Sequence, residues 1–314
     1  MSVSTRTLRL GTRRSALALA QSAAVAAAVA DAGGPEVELV EIATLGDTAP
    51  GAIATLGGTG VFVSALRERL LAGDIDLAVH SYKDLPTAAA PGLVVAAVPR
   101  RADPRDVLVA AQARSLAQLR AGARVGTGSP RRIALLLAAR PDLAVVSIRG
   151  NVDTRIAAVT AGRLDAVVLA RAGLDRLGQS AEISEVLDPA VMLPAPAQGA
   201  LAVECRADDL RLRELLAPLD HLSSAAAVTA ERALLAGVEA GCTAPVAALA
   251  EVVPGNGAGG SALQLRAAIA AADGTRMLTE TATGSVADAY GIGRRLAAKL
   301  VAAGAADLLG GKES

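Results

Sequence analysis

The fold is decided where an apolar strand turns directly into a helix, at residues 124–139, RVGTGSPRRIALLLAA. Ser129 is suited to cap this helix, and Pro130 to be its first residue. Arg131 and Arg132 then lie in the first turn, where the helix dipole disfavours a cation by about 0.3–1 kcal/mol. Two arginines at this place indicate a bound anion, on which free N–H groups and guanidinium groups would converge.

The same arrangement occurs at two more strand-to-helix junctions, residues 11–15 and residues 148–155. Three junctions of one kind favour an anion-binding cleft over the alternative, solvated arginines without a ligand. A Walker A loop is excluded because its Gly-Lys-Ser/Thr is absent. On the residues alone, the anion is equally well a carboxylate or a phosphate.

Working outward, short apolar runs alternate with helical patterns through most of the first 200 residues. This alternation predicts a doubly wound α/β architecture with parallel strands covered on both faces, where ligands bind beyond the carboxyl ends of the strands. The predicted strands are 8–10, 37–43, 77–80, 93–98, 107–110, 124–126, 144–148 and 166–170, and the predicted helices are 15–31, 61–72, 130–139 and 152–161.

Proline-containing segments at residues 99–104 and 193–199 predict two crossings between such units. Helices are predicted at residues 208–216 and 225–235. Later apolar runs, at residues 246–252, 263–269 and 277–283, alternate as antiparallel strands do, and a helix over 286–309 follows. The C-terminal part is therefore predicted to be a separate, smaller α+β domain, and residues 46–60 a loop.

Composition excludes several classes of protein. The 314 residues carry 31 basic and 31 acidic side chains, which disfavours nucleic acid as the main partner. The three aromatic residues, Phe62, Tyr82 and Tyr290, nearly exclude stacking platforms for bases. Without a strongly apolar run of about 18 residues, no membrane span is expected.

The N-terminal part superficially resembles an export signal, because Arg13 and Arg14 precede an alanine-rich stretch. A predicted strand comes before these arginines, and Gln21 and Ser22 interrupt the apolar run. We therefore expect no export, and a cytoplasmic location.

The two cysteines have different surroundings. Cys242 lies in the turn AGCTAP, residues 240–245, where a thiol could carry a covalent group; a small buried side chain is the alternative. Cys205 follows an apolar run and is expected to be buried and inert. The cysteines and the two histidines do not have metal-site spacing.

A lone acid stands beside a cation in HSYKDLP, residues 80–86. Asp84 comes just after a predicted strand, so it is a candidate catalytic carboxylate. The alternative is an aspartate that serves only the turn before Pro86. His80 is expected to be structural.

The sequence resembles the porphobilinogen deaminase family nearly end to end. The motifs that carry the resemblance are residues 13–15, 78–86, 126–132, 148–155, 193–204 and 231–245. The resemblance implies two domains like type II periplasmic binding proteins, domain 1 (1–99 and 200–219) and domain 2 (100–199). It also implies a third domain, 220–314, that carries the cysteine.

The resemblance implies an enzyme of tetrapyrrole (haem) biosynthesis, a transferase that condenses four porphobilinogen molecules head to tail with loss of ammonia. Water then releases hydroxymethylbilane. A dipyrromethane cofactor would be joined to Cys242 through a thioether. The family resemblance favours a monomer.

By the same resemblance, Asp84 is the catalytic aspartate, which would stabilise the azafulvene cation left by ammonia and move protons. Each pyrrole brings two carboxylates, so one site needs many guanidinium groups. The cofactor would be held by Ser81, Lys83, Asp84, Thr127, Ser129, Arg131 and Arg132. The pyrroles of the substrate and growing chain would be held by Arg13, Ser15, Arg149, Arg155 and Arg176.

One segment departs from the family pattern, since residues 54–60 lack the lysines often found there. Phe62 matches the family's aromatic residue at the end of this loop, or simply packs in the core. The rival hypothesis is a non-catalytic, two-lobed anion-binding protein of the periplasmic-receptor type. The missing export signal and the loop thiol count against it.

Overall fold

The structure, a computed structural model, describes residues 6–42, 58–239, 244–255 and 260–309. The chain divides into two units, Met1–Arg101 with Ala200–Ala225, and Ala102–Gly199 with Ala226–Ser314. The chain passes between the units at Arg101/Ala102, at Gly199/Ala200 and at Ala225/Ala226. The first two passages lie within or next to the two crossings predicted from proline.

The described elements are named in chain order. The strands are β1 (Leu8–Thr12), β2 (Val37–Glu41), β3 (Leu77–Ser81), β4 (Leu93–Ala97), β5 (Asp106–Ala110), β6 (Arg124–Gly126), β7 (Ala144–Val146), β8 (Ala166–Ala170), β9 (Glu185–Val186), β10 (Leu201–Arg206), β11 (Val246–Pro254), β12 (Ser261–Ala270) and β13 (Met277–Ser285). The α-helices are α1 (Ala16–Asp31), α2 (Gly58–Leu71), α3 (Pro130–Ala139), α4 (Val152–Thr160), α5 (Arg171–Arg176), α6 (Leu210–Leu216), α7 (Leu222–Gly237), α8 (Ala289–Ala302) and α9 (Ala305–Leu308).

The first unit is built on a five-stranded sheet of order β2-β1-β3-β10-β4. β1 runs parallel to β2 and β3, whereas β10 runs antiparallel to β3 and β4. Helix α1 begins after Ser15, whose Oγ accepts a hydrogen bond from the Ala18 N–H (3.3 Å), and its Val25 and Val29 join the sheet's core. The carboxyl end of β3 therefore projects from a well-packed sheet.

The second unit contains a sheet of order β7-β6-β8-β5-β9. β6 runs parallel to β7 and β8, and β5 runs antiparallel to β8 and β9. The junction that decides the fold is here: β6 ends at Gly126, Ser129 caps α3, and Pro130 begins it. The predicted strand, cap and helix are confirmed at this junction.

A three-stranded antiparallel sheet, β11-β12-β13, lies in the same unit and packs against α8. Ala247, Leu249 and Ala268 on its other face are buried together with Leu108 and Val125 of the larger sheet. The two sheets of this unit thus share a core, and the division of the chain into three domains stays a prediction.

The predicted fold class, two α/β parts and a smaller C-terminal α+β part, is confirmed. Some details differ: β9, β10 and α5 were not predicted, the larger sheets are mixed rather than all parallel, and the predicted helix over 286–309 is interrupted. Gly304, at φ 92°, separates α8 from α9. None of the helices in the described ranges has the length and hydropathy needed to cross a bilayer.

Candidate active site

Asp84 lies just beyond the carboxyl end of β3, in a single 3-10 turn, Tyr82–Asp84. The Tyr82 N–H donates to the Ala200 carbonyl (3.0 Å), and the Leu85 N–H donates to the Tyr82 carbonyl (3.2 Å). Leu85 is buried, so the turn is held at both ends. The backbone therefore fixes the half-buried Asp84 at the edge of the sheet where an α/β fold binds ligands.

A cavity of about 60 Å³ adjoins this turn, and Asp84, Ser81, His80 and Arg13 contribute to its lining. Within the described parts of the chain, the Asp84 carboxylate accepts no hydrogen bond and forms no ion pair. The alternative prediction, an aspartate engaged in its own turn, receives no support from these contacts. Lys83 is half-buried in the same turn.

Gln21 is a polar residue of this cavity whose part in it sequence reasoning missed. It is buried on α1, and its Nε2 donates to Ser81 Oγ over 2.9 Å. The available signal was a glutamine inside an alanine-rich helix, six residues after the cap. Ser15 itself is half-buried and serves as that cap.

His80 belongs to a buried ionic group beneath the cavity. Its Nε2 lies 3.2 Å from Glu204 Oε2, without the geometry of a hydrogen bond, and Arg67 donates to both oxygens of Glu204. Burial pushes the pKa of Glu204 upward, but His80 and Arg67 outweigh burial, and the pKa lies below its ordinary value. Glu204 therefore stays ionised inside the sheet. The sequence analysis did not predict this buried ionic group.

In the second unit, Arg131 and Arg132 meet a carboxylate of the chain itself. Arg131 Nη2 donates to Asp106 Oδ2 (2.7 Å), and Arg132 donates through Nε (3.1 Å) and Nη2 (2.7 Å) to Oδ1. Their Nη1 groups donate to the carbonyls of Leu193 and Val168. All three charged side chains are buried. The sequence analysis considered only two possibilities for the arginines, exposure to solvent or binding of a ligand, and did not consider a carboxylate of the chain itself.

Electrostatics in this cluster follow from burial. Burial alone would raise the pKa of Asp106, but the charges and hydrogen bonds of Arg131 and Arg132 lower it to about 2. Burial lowers the pKa of Arg131 despite its pairing with Asp106. Arg131 Nε is also buried, and no group among the described residues accepts a hydrogen bond from it. With one carboxylate between two guanidinium groups, the cluster keeps a net positive charge and an unused donor.

Asp106 and Gln198 were not predicted as members of this site. Gln198 Nε2 donates to Asp106 Oδ1 and to the Pro104 carbonyl, each over 2.8 Å. A usable sequence signal for Asp106 is an aspartate that directly precedes the apolar residues of β5. Its partners Arg131 and Arg132 follow 25 and 26 residues later, so no local pattern pairs them.

Thr127 and Ser129 form the loop before α3. Thr127 is fully buried and its Oγ1 accepts from the Ser129 N–H (3.2 Å); Ser129 Oγ accepts from the Arg132 N–H (3.5 Å). A Cβ on Gly128 would stand 2.8 Å from the Ile148 carbonyl oxygen, so a side chain there would displace the loop. The two hydroxyls are thus fixed beside the arginine pair.

Three further predicted arginines lie in the second unit. Arg155 Nε donates to the Gly150 carbonyl (3.0 Å), and its pKa is lowered by burial and by the charge of Arg132. Arg176 Nη2 donates to the Gly199 carbonyl (2.7 Å), and burial lowers its pKa. Arg149 is exposed. The structure therefore brings Arg131, Arg132 and Arg155 together.

Several predicted residues lie outside the described residues: Cys242, the loop segment 46–57 and the side chain of Phe62. The other cysteine, Cys205, is fully buried on β10, as predicted. Burial raises the pKa of its thiol to about 11, which keeps the group protonated and unreactive.

Comparison with known families covers most of the chain. Residues 8–214 match the family model described as porphobilinogen deaminase, dipyromethane cofactor binding domain, and residues 225–302 match porphobilinogen deaminase, C-terminal domain. Porphobilinogen deaminase 1 of Streptomyces coelicolor is 55% identical over 96% of this chain and 97% of its own length. Porphobilinogen deaminase of Mycobacterium tuberculosis is 52% identical over 97% and 99%.

Matches among solved structures are more distant. The lipoprotein Tp32 of Treponema pallidum has 15% identity and a TM-score of 0.44, covering 68% of this chain and 91% of its own. The methionine-binding protein MetQ has 14% identity and a TM-score of 0.43, with 68% and 89% covered. The family matches are decisive: the chain belongs to the porphobilinogen deaminase family.

The cofactor named for this family's larger domain is dipyrromethane. Each unit offers groups that fit it. The arginine cluster carries excess positive charge and the unpartnered Arg131 Nε, which suit an acidic ligand. The carboxylate of Asp84 suits a group with N–H donors or developing positive charge.

Proposed function

We propose that this protein catalyses the head-to-tail condensation of four porphobilinogen molecules, with loss of ammonia, and the hydrolytic release of hydroxymethylbilane. The observation that carries the proposal is the family match over residues 8–214 and 225–302, supported by relatives of the same name at more than half identity. The non-catalytic anion-binding alternative is not favoured, because these relatives are named as deaminases.

Asp84 is assigned as the catalytic residue of the first unit. Porphobilinogen loses its amine as ammonia, which leaves positive charge on the pyrrole and its methylene carbon. A carboxylate without competing partners can stabilise that charge and accept the proton released after the new carbon–carbon bond forms. The lack of hydrogen bonds to Asp84 in the described structure supports this assignment.

Arg131 and Arg132 are assigned to the acetate and propionate groups of the cofactor. The unused donor of Arg131 supports binding of a further carboxylate beside Asp106. Ser81, Lys83, Asp84, Thr127 and Ser129 complete the assigned cofactor contacts. The dipyrromethane, when bound through Cys242, supplies the pyrrole carbon to which the first substrate is added.

The substrate and the growing chain are assigned to the remaining cations. Arg155 and Arg176 are partly buried with lowered pKa values, which indicates that a bound carboxylate would relieve the cost of burying their charge. The full assigned set is Arg13, Ser15, Arg149, Arg155 and Arg176. We further propose a cytoplasmic, monomeric transferase of three domains.

The direct test is turnover of porphobilinogen by the purified full-length chain. We expect one ammonia released for each porphobilinogen consumed, with hydroxymethylbilane as the first product, identified by mass spectrometry. Consumption without ammonia, or binding without consumption, would contradict the activity.

The covalent attachment of the cofactor to Cys242 can be tested separately. Intact-mass spectrometry of active protein should give the polypeptide plus two pyrrole units, and Cys242→Ala should give the bare polypeptide. Cys205→Ala is the matched control and should keep the added mass. Active wild-type protein with the mass of the bare polypeptide would refute a covalent cofactor without refuting the activity.

A further inference from the structure

The position of Arg176, one of the arginines assigned to the substrate, depends on a single backbone group. Its Nη2 donates to the Gly199 carbonyl over 2.7 Å, and within the described residues its guanidinium group forms no other hydrogen bond. Burial lowers the pKa of Arg176, so its charge lies where water is largely excluded. The Gly199 carbonyl therefore sets the directions of the remaining N–H groups, which would meet the carboxylate of a ligand.

Gly199 ends a mostly buried turn, residues 197–199, in which two residues adopt a positive φ. Gly199 has φ 86°, and a Cβ there would stand 2.6 Å from the Ala102 carbonyl oxygen, so only glycine fits. Ala197 has φ 61° although it carries a Cβ, which is sterically unfavourable, and it is fully buried. Such a conformation persists only where surrounding groups hold it. The place of the Gly199 carbonyl therefore requires a contact that holds Ala197.

Glu231 supplies this contact from α7. It is fully buried, and its Oε2 accepts from the Ala197 N–H (2.6 Å) while its Oε1 accepts from the Ala250 N–H of β11 (2.7 Å). Because a different main-chain group binds each oxygen, the carboxylate cannot rotate without losing one hydrogen bond. An apolar side chain would pack α7 against β11 at less cost. A buried carboxylate here therefore indicates that these N–H groups require a strong acceptor.

We propose that Glu231 is a positioning residue for Arg176. By accepting from the Ala197 N–H, it keeps the turn in its left-handed course and so fixes the Gly199 carbonyl that orients the guanidinium group. All of these groups belong to the second unit. The inference rests on the proposed function in one respect: Arg176 is assigned there to carboxylates of the substrate and the growing chain.

A double-mutant cycle on the full-length holoenzyme tests this route. Glu231→Gln keeps the size of the side chain but replaces one acceptor oxygen with an NH2 group, and it should lower kcat/KM for porphobilinogen at least about fivefold. In Arg176→Lys, which already lacks the oriented guanidinium group, adding Glu231→Gln should lower kcat/KM by less than about a further twofold.

Arg155→Lys is the matched control for this cycle. Arg155 is also partly buried and also held by a glycine carbonyl, that of Gly150, which lies outside the turn. Glu231→Gln should therefore keep its full effect on kcat/KM when it is combined with Arg155→Lys, because the two sites are independent.

A second measurement needs no turnover. The Nε–H signals of arginine side chains are recorded by nitrogen nuclear magnetic resonance, and the signal missing from Arg176→Lys belongs to Arg176. In Glu231→Gln this signal should move, whereas the signal assigned through Arg155→Lys should stay in place. A role of Glu231 in stability alone would leave both signals in place in the folded protein.

A third measurement leaves Glu231 intact, so it holds even if Glu231→Gln fails to fold. Energetic coupling is reciprocal, and Arg176→Lys should therefore speed hydrogen exchange at the Ala197 amide at least about threefold, whereas Arg155→Lys should not. Unchanged exchange at Ala197 in Arg176→Lys, or an unmoved Arg176 signal in Glu231→Gln, would overturn the proposal whether or not the chain is a deaminase.

The cycle can also overturn the proposal. An equal loss of kcat/KM from Glu231→Gln in the Arg176→Lys and Arg155→Lys backgrounds would mean that Glu231 does not act through Arg176. Absence of turnover in the parent chain would contradict the proposed function instead, and the resonance and exchange measurements would then decide the role of Glu231.

Discussion

Two aspartates of this chain have opposite surroundings, and those surroundings separate their roles. Asp84 is half-buried beside a cavity and accepts no hydrogen bond within the described residues. Asp106 is completely buried and accepts from two arginines and Gln198. The first carboxylate is available to a reacting molecule, whereas the second is committed to other side chains of the protein.

Replacing Asp84 with asparagine should reduce kcat by at least about a hundredfold, because the amide keeps the shape but can neither accept a proton nor balance positive charge. Single-turnover rates with porphobilinogen measure this, and intact mass should still show the cofactor. Asp74→Asn is the matched control, since Asp74 is an exposed aspartate of the same unit. Turnover within a few-fold of the parent would contradict the catalytic role.

Asp106 should make the protein's stability depend on pH in acid. Its folded pKa, about 2, lies below the ordinary 3.8, so its ionised form stabilises the fold fully above 3.8. That contribution, about 2 kcal/mol, is lost as the pH falls through the folded value. Urea unfolding between about pH 5 and pH 2.5 should therefore show a shallower dependence in Asp106→Asn than in the parent. An unchanged slope would contradict the ionic assignment.

At the scale of elements, the sequence was sufficient where the signal is local. The cap Ser129, the first residue Pro130 and the apolar run after them predict α3 at its observed bounds. Strand direction was not predictable in the same way: β10 returns antiparallel between β3 and β4 after a hundred residues of intervening chain. The spacing of apolar residues along a strand does not indicate which distant strand pairs with it or in which direction.

The C-terminal helix illustrates a different limit. The helical pattern continues from residue 286 to 309, yet Gly304 adopts φ 92° and ends it. Glycine reaches this region without the steric cost that a Cβ brings, so its position at a helix end is a signal that an alanine-rich pattern obscures. Prediction of the site from the sequence met a similar limit. Asp106 pairs with two arginines that are distant in sequence, and such a pairing leaves no local pattern.

Gly304→Ala should lower the free energy of unfolding by about 1 kcal/mol, because alanine is strained at a positive φ. Gly304→Asn should recover much of this loss, since asparagine tolerates the left-handed region better. Urea unfolding of the three proteins measures the effect. Equal stability of the alanine and glycine proteins would indicate that the helix continues through this position.

At the scale of the whole molecule, the chain leaves the second unit through a segment held by buried polar contacts. Ala197 adopts φ 61°, unusual for a residue with a Cβ, and is fully buried. Its N–H donates to Glu231 Oε2 (2.6 Å), and the Ala250 N–H of β11 donates to Oε1 (2.7 Å). One carboxylate on α7 thus joins the crossing segment to the C-terminal sheet.

Glu231→Ala should therefore destabilise distant parts of the second unit together. Two buried N–H groups would lose their acceptor, at about 1–3 kcal/mol each, so the free energy of unfolding should fall by about 2–6 kcal/mol. Glu231→Gln keeps one acceptor oxygen and should lose less. Hydrogen exchange should speed up at both Ala197 and Ala250, which lie far apart in sequence.

The matched control is Glu251→Gln, since Glu251 is an exposed glutamate on β11 that pairs with Arg266. It should leave exchange at Ala197 unchanged. Faster exchange at Ala250 alone in Glu231→Ala would mean that the crossing segment holds its left-handed turn without the carboxylate. Faster exchange at both amides, with the slowest amides of β8 less affected, would establish Glu231 as the link between the crossing and the C-terminal sheet.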